Sequence, residues 1–192
     1  MKRMLLISVT AIAIATALQA QRQLPGMRGL EARGGMVDGI YTSANDNEAG
    51  YYFGAALSTY SKRGNKWVFG AEFMERYYPY REIRTPVSQF TAEGGYYFKF
   101  LSDPSKTVLF YLGGSALGGY ETSNWGEKTL YDGATLRNKE SFVYGGAISL
   151  EMETYITDRI VLLLTGRQRI LWGNSTGHFR MQFGGGLKFI IN

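Results

Sequence analysis

Residues 67–78 read Trp67-Val68-Phe69-Gly70-Ala71-Glu72-Phe73-Met74-Glu75-Arg76-Tyr77-Tyr78. Taken alternately, one face is Trp67, Phe69, Ala71 and Phe73, and the other is Gly70, Glu72, Met74 and Arg76. A period of two belongs to a β-strand, whose successive side chains leave opposite faces. The same alternation recurs on both sides of this stretch. Segment 88–100 sets Phe90, Ala92, Gly94, Tyr96, Phe98 and Phe100 against Gln89, Thr91, Glu93, Tyr97 and Lys99. Segment 142–152 sets Phe142, Tyr144, Ile148, Leu150 and Met152 against Gly145, Ala147, Ser149, Glu151 and the adjoining Glu153. In 160–172, Leu162, Leu164, Ile170 and Trp172 oppose Thr165, Arg167 and Arg169, with Gln168 the one misfit. The last segment, 179–191, opposes Phe179, Met181, Phe183, Leu187, Phe189 and Ile191 to Arg180, Gln182 and Lys188.

Weaker alternation marks 28–37, where Glu31 and Arg33 share a face, and 51–60. Segment 108–120 is apolar on both faces and rich in Gly, so its inward face stays undecided. The pattern predicts an all-β protein of eight strands. The connections alternate in length. Those at 38–50, 79–86 and 121–139 are long, and those at 61–66, 102–106 and 157–159 are short. A short connection at 173–177 breaks this order, but long loops otherwise gather at one end with both termini at the other. This predicts an eight-stranded antiparallel up-and-down transmembrane β-barrel of the outer-membrane type.

Composition narrows the function classes. The 192-residue chain has 14 Tyr, 11 Phe, 3 Trp and 25 Gly, no Cys and one His. The lack of Cys excludes disulfide scaffolds, thiol catalysis and cysteine zinc sites. Residues 1–20 read as a cleaved signal peptide for Sec export, with Lys2 and Arg3 before an apolar run and Ala20 at the cleavage site. Residues 21–192 then form a single barrel domain. Loss of Lys2 and Arg3 lowers the net charge from +5 to +3, too little to suggest a nucleic-acid-binding surface.

Alternation alone does not say which face is outside. A lipocalin-like periplasmic carrier would show the same period with the sense reversed. Aromatic residues crowd the strand ends (Trp67, Tyr77, Tyr78, Tyr96, Phe98, Phe100, Tyr120, Phe142, Trp172 and Phe179), as the interfacial girdles of membrane barrels require. The opposite face mixes small residues with charges of both signs, which suits a narrow lumen filled by side chains. Lipid is therefore expected outside. Inside, Glu31, Glu72, Glu93, Glu151 and Glu153 are expected beside Arg33, Arg76, Lys99, Arg167 and Arg169. Buried charges must pair, and the expected role is a structural ion network, with a proton or ion path as the sharper alternative.

Few motifs suggest chemistry. The stretch from Gly113 to Gly119 superficially resembles a phosphate-binding loop but lacks the Lys-Ser/Thr ending and lies in a strand, where close packing explains it. His178 with Ser175 or Asp132 is a candidate nucleophile arrangement, yet no spacing marks a nucleophile. Asn45-Asp46-Asn47-Glu48 has oxygen ligands at calcium-like density without the calcium-loop pattern, and Asn174-Ser175-Thr176 fits a glycosylation acceptor or an ordinary turn. No catalytic residue, cofactor site or metal site is assigned.

The segment 21–39 resembles the N-terminus of the TraO family, the conjugal-transfer proteins of Bacteroidetes conjugative transposons. The similar features are Leu24-Pro25-Gly26-Met27, then Gly29 and Glu31 in the first strand, then Gly34-Gly35 before Asp38-Gly39. Size, signal and barrel pattern extend the resemblance over essentially the whole chain. The resemblance implies an envelope component of a type IV secretion-like mating apparatus and carries no catalytic residues; the strand pattern adds the outer membrane, so the expected partners are its lipid and other envelope proteins of the apparatus. The expectation is an anchor or surface contact rather than a DNA pore, with the 121–139 loop (Trp125, Tyr131, Leu136) as the candidate partner surface. The alternatives are a small outer-membrane enzyme with loop-borne groups and the soluble lipocalin-like carrier.

Overall fold

Every alternating segment becomes a strand. The structure, a computed structural model, describes residues 23–39, 50–80, 83–123, 140–174 and 177–191. Among these lie β1 (Arg28–Val37), β2 (Gly50–Tyr60), β3 (Lys66–Tyr80), β4 (Ile83–Ser102), β5 (Val108–Ser123), β6 (Glu140–Tyr155), β7 (Ile160–Trp172) and β8 (Phe179–Ile190). Each pairs antiparallel with its sequence neighbours, and β1 pairs with β8 from Gly29↔Ile190 to Val37↔Gln182. The sheet closes on itself and leaves no edge.

The register fixes the stagger. A row of Cα partners starting at Arg28 runs through Thr59, Trp67, Tyr96, Gly114, Ile148 and Gln168 to Met181. The Met181 carbonyl accepts the Asp38 N–H at 2.8 Å, so the row returns to β1 ten residues beyond its start. Such a shear tilts the strands by about 35–45°.

The sense of the two faces is settled by burial. Met36, Phe142, Ile148 and Phe179 are more than 60% exposed on the outer wall, while Glu31, Lys66, Glu151, Glu153, Arg169 and Lys188 are 0% exposed inside. A wall of this kind is stable against hydrocarbon, not water. The lipocalin-like alternative, with an aromatic interior, is thereby overturned. In β5, the undecided segment, Leu109, Tyr111 and Leu117 point inward, and Phe110, Leu112 and Tyr120 point outward.

Two local expectations need correction. The 79–86 connection is no long loop, because β3 and β4 stay paired from Tyr77↔Pro86 to Tyr80↔Ile83. Neither strand has an outer neighbour there among the described residues, since the β2 ladder stops at Gly50↔Arg76 and the β5 ladder at Val87↔Ser123. Free edges of a two-stranded protrusion tolerate proline, which lacks a ladder donor. Tyr78 is no girdle residue but faces the lumen, its hydroxyl accepting from Arg76 Nη1 at 2.7 Å and Arg180 Nη2 at 3.1 Å. A β-bulge between Lys99 and Leu101 shifts the β4–β5 register and leaves both Phe100 and Leu101 on the outer wall, as an extra residue in one strand does.

Candidate functional site

The lumen is the one place where chemistry-bearing side chains converge among the described residues. Its charges come from seven strands, all but β2, and from Asp38 just past the end of β1, and they stack in layers along the axis.

At the turn end, the ammonium groups of Lys66 and Lys188 sit among three carboxylates. Lys66 Nζ lies 2.7 Å from Glu153 Oε1 and 3.7 Å from Glu31 Oε1, and also pairs with Glu151. Lys188 Nζ lies 3.0 Å from Glu31 Oε1 and pairs with Glu153. Aromatic rings pack around both. Lys66 stands 5.1 Å from the Tyr97 ring centroid and 4.8 Å from that of Tyr111, and Lys188 stands 5.0 Å from that of Tyr60. The Tyr60 hydroxyl donates to Glu153 Oε2 at 2.8 Å and accepts from Lys188 at 3.1 Å. Tyr60, Tyr97, Tyr111 and Tyr155 join Leu109, Val161 and Leu163 in a buried cluster that closes this half of the barrel.

Arg33 carries the network upward, pairing with Glu31, with Glu93 at 3.3 Å and with Glu151 at 3.6 Å. Arg167 follows, 2.7 Å from Glu93 and 3.4 Å from Glu72, and donates to Ser149 Oγ and Tyr97 Oη at 3.0 Å each. Arg169 Nη1 reaches Glu72 at 2.6 Å and its Nη2 reaches Thr91 Oγ1 at 3.1 Å. Near the loop end, Arg76 faces Asp38 at 3.3 Å, and Gln89 donates to Glu121 at 2.5 Å. Among the described residues the lumen and its loop-end mouth thus hold seven cations (Arg33, Lys66, Arg76, Arg167, Arg169, Arg180, Lys188) against seven carboxylates (Glu31, Asp38, Glu72, Glu93, Glu121, Glu151, Glu153), with Lys99 an eighth, half-buried cation at the turn-end mouth. This balance is what burial demands, because an unpaired charge in a low-dielectric interior costs several kcal/mol.

Of the ten residues expected inside, the structure brings Glu31, Arg33, Glu72, Glu93, Glu151, Glu153, Arg167 and Arg169 into one connected set. Arg76 lies above it at the loop-end mouth. Lys99 lies below it at the turn-end mouth, where Nζ donates to Gln23 Oε1 at 3.2 Å instead of meeting a carboxylate. The segment ahead of β1 folds back here. Gln23 is buried, and the Gly26 N–H donates to Tyr60 O at 2.8 Å.

Lys66 and Glu121, which fall at predicted strand ends and so read as turn and loop, are the network members that alternation misses. Glu75 is a different case. It faces outward, yet it is 5% exposed, because Tyr51 and Tyr77 donate to its Oε1 at 3.0 and 2.6 Å and Ser88 donates to Oε2 at 2.9 Å. Its signal was its parity, shared with Trp67 and Phe73.

His178 Nδ1 lies 2.9 Å from Leu171 O. Its proposed companions Ser175 and Asp132 lie outside the described residues, as do Asn45–Glu48, Trp125, Tyr131, Leu136 and residues 1–20. Gly113 is covered by the Tyr97 ring, and a Cβ at Gly119 would stand 2.0 Å from Phe90 O. Close packing therefore accounts for Gly113 and Gly119, whereas Gly114 and Gly118 have open space where a Cβ would stand.

The fold has known counterparts. The chain is similar to Neisserial surface protein A, with 13% identity, a TM-score of 0.54, and coverage of 86% of this chain and 97% of that one. It is also similar to the N-terminal β-barrel domain of OprF from Pseudomonas aeruginosa, with 11% identity, a TM-score of 0.47, and coverage of 85% and 98%. The first likeness shows the fold. No curated protein matches by sequence. The family described as conjugative transposon protein TraO matches residues 24–191, which takes in the Leu24-Pro25-Gly26-Met27 lead-in and all eight strands. The chain belongs to the conjugative transposon protein TraO family.

Proposed function

We propose that this protein is an outer-membrane anchor or surface contact of the conjugative transfer apparatus, and that it does not conduct DNA. The observation that carries the proposal is the filled lumen. Seven cations, seven carboxylates and a tyrosine cluster occupy a barrel of eight strands, a size at which side chains fill the interior. The apolar outer wall supports placement in a membrane, and family membership supports a role in conjugation. Partners are then other envelope proteins of the apparatus, met through the loops and the rims.

The role needs no catalytic group. The test is deletion within residues 124–139, with mating frequency and heat-modifiable gel migration read together. A barrel that still folds while mating falls supports a contact role for this loop, and unimpaired mating refutes it. In planar bilayers the wild-type protein should give no steady ionic steps, and open-channel steps would sink the filled-lumen reading.

A further inference from the structure

The turn end carries a ring of positive charge that the lumen network does not use. Lys62 and Arg63 sit on the β2–β3 turn, Lys106 on the β4–β5 turn and Arg159 on the β6–β7 turn, all exposed, with exposed Arg28 at the start of β1. Two described carboxylates share this end. One is Asp158; the other, Asp103, is spent on its own turn, accepting from the Thr107 and Val108 N–H groups at 2.7 and 3.0 Å and from the Ser105 hydroxyl. The backbone adds a second observation. Arg63 has φ +67° and Lys106 has φ +54°, a left-handed conformation that glycine or asparagine adopts more cheaply. Cations occupy the turn tips against local preference.

We propose that this rim binds the phosphate groups of anionic phospholipids in the adjoining leaflet. The proposal rests on the membrane placement given above. Two features favour lipid over a protein or nucleic-acid partner. The cations are spread one turn after another around the circumference, which fits a surrounding annulus of headgroups better than a single docked face. They also follow directly on the lipid-facing band, where Trp67, Phe98, Phe100, Leu101 and Ile156 are exposed on the outer wall or its edge. Basic residues at that depth meet headgroup phosphates within a Debye length.

The experiment uses Trp67 as the reporter. The mature chain carrying Trp125→Phe and Trp172→Phe is inserted into phosphatidylcholine vesicles containing equal fractions of either dibrominated phosphatidylglycerol or dibrominated phosphatidylcholine. Quenching of Trp67 should report a preference for the anionic lipid of roughly fivefold, the scale of one basic side chain near a charged surface. Molar salt should abolish it, as should K62Q/R63Q/K106Q/R159Q. The pair K62Q/R63Q, on the turn that leads into Trp67, should remove most of it where the quadruple variant does not insert. Equal quenching by the two lipids, or a preference that survives these substitutions, overturns the proposal. So does binding of poly-glutamate or a single-stranded oligonucleotide to the detergent-solubilised barrel without any lipid preference. Failure of the unsubstituted barrel to insert, seen as absent vesicle flotation, refutes the membrane placement itself and is thereby distinguished from failure of the rim.

Discussion

Gln23 Nε2 donates to the Tyr111 hydroxyl at 2.7 Å, so the segment ahead of the first strand is tied to the inner wall of the fifth. Its Oε1 accepts from Lys99, and the two bonds seat the amide across the turn-end mouth. Gly64 makes room for it, since a Cβ there would stand 2.6 Å from Gln23 Oε1 and 2.7 Å from Lys99 Nζ, on a backbone with φ +77°. Gln23→Ala should cost about 1–2 kcal/mol, the range for a lost buried hydrogen bond. Gly64→Ala should cost at least as much and should free the Gln23 segment to proteolysis. Urea titration of the heat-modifiable band and limited proteolysis read both, and an uncut Gly64→Ala protein would contradict the seating.

Lys188 is held by Glu31, Glu153 and Tyr60 together. Lys188→Met leaves a carboxylate short of a partner and should destabilise the barrel by about 3–5 kcal/mol. Lys188→Met combined with Glu153→Gln should cost less than the sum of the two single changes, because each removes the other's orphan. Additive losses in urea would show that the two side chains do not share one network.

Glu75 keeps a carboxylate on a lipid-facing strand surface only because three hydroxyls reach it. Tyr77→Phe should destabilise by about 1–3 kcal/mol, the cost of an under-bonded buried acceptor. Glu75→Gln should be milder, since the amide oxygen can accept from the two tyrosines while its N–H donates to the Ser88 hydroxyl. In a Glu75→Gln background Tyr77→Phe should lose much of its effect, and a double-mutant cycle on the urea midpoints checks this.

Asp103 gives the turn end a pH dependence. Desolvation, the largest single contribution, pushes its carboxyl up, but hydrogen bonds from the Ser105 hydroxyl and from the Val108 and Thr107 N–H groups together outweigh it and hold the group below its usual 3.8. A depressed folded-state value means that the stabilisation is complete above the unfolded value and is lost as pH falls through the folded one. The stability difference between the wild type and Asp103→Asn should therefore be constant near neutrality and shrink below about pH 4. A difference that grows on acidification would reverse the sign. The effect should be small, as the group is largely screened by water.

Most of the barrel was legible because one physical rule acts on every strand. Lipid outside and a charged lumen inside force alternation, and the side-chain period of a strand reports it residue by residue. Where the rule has an exception, sequence reasoning failed in an instructive way. Tyr78 was read by residue type as an interfacial aromatic, although its parity with Arg76 already placed it inside. Lys66 and Glu121 lie where strands run past the point at which alternation becomes visible. Pro79 and Pro86 terminate strands in most sheets but not in a two-stranded protrusion. The pairing of particular cations with particular carboxylates was beyond reach, because it depends on the ten-residue stagger, and no single strand encodes that.

The ladder between β1 and β8 also dictates an order of events. Gly29 to Val37 have one flank bonded only by residues 182–190, so the first strand stays half-finished until the last is present. Closure couples positions separated by nearly the entire chain, a contact of the slowest kind to form. Until then the outer face of every strand and the charges of the lumen are exposed together, and no partial set of strands balances both. The sequence thus specifies a molecule that gains little from folding piecemeal, and that stays extended until its final strand can join its first.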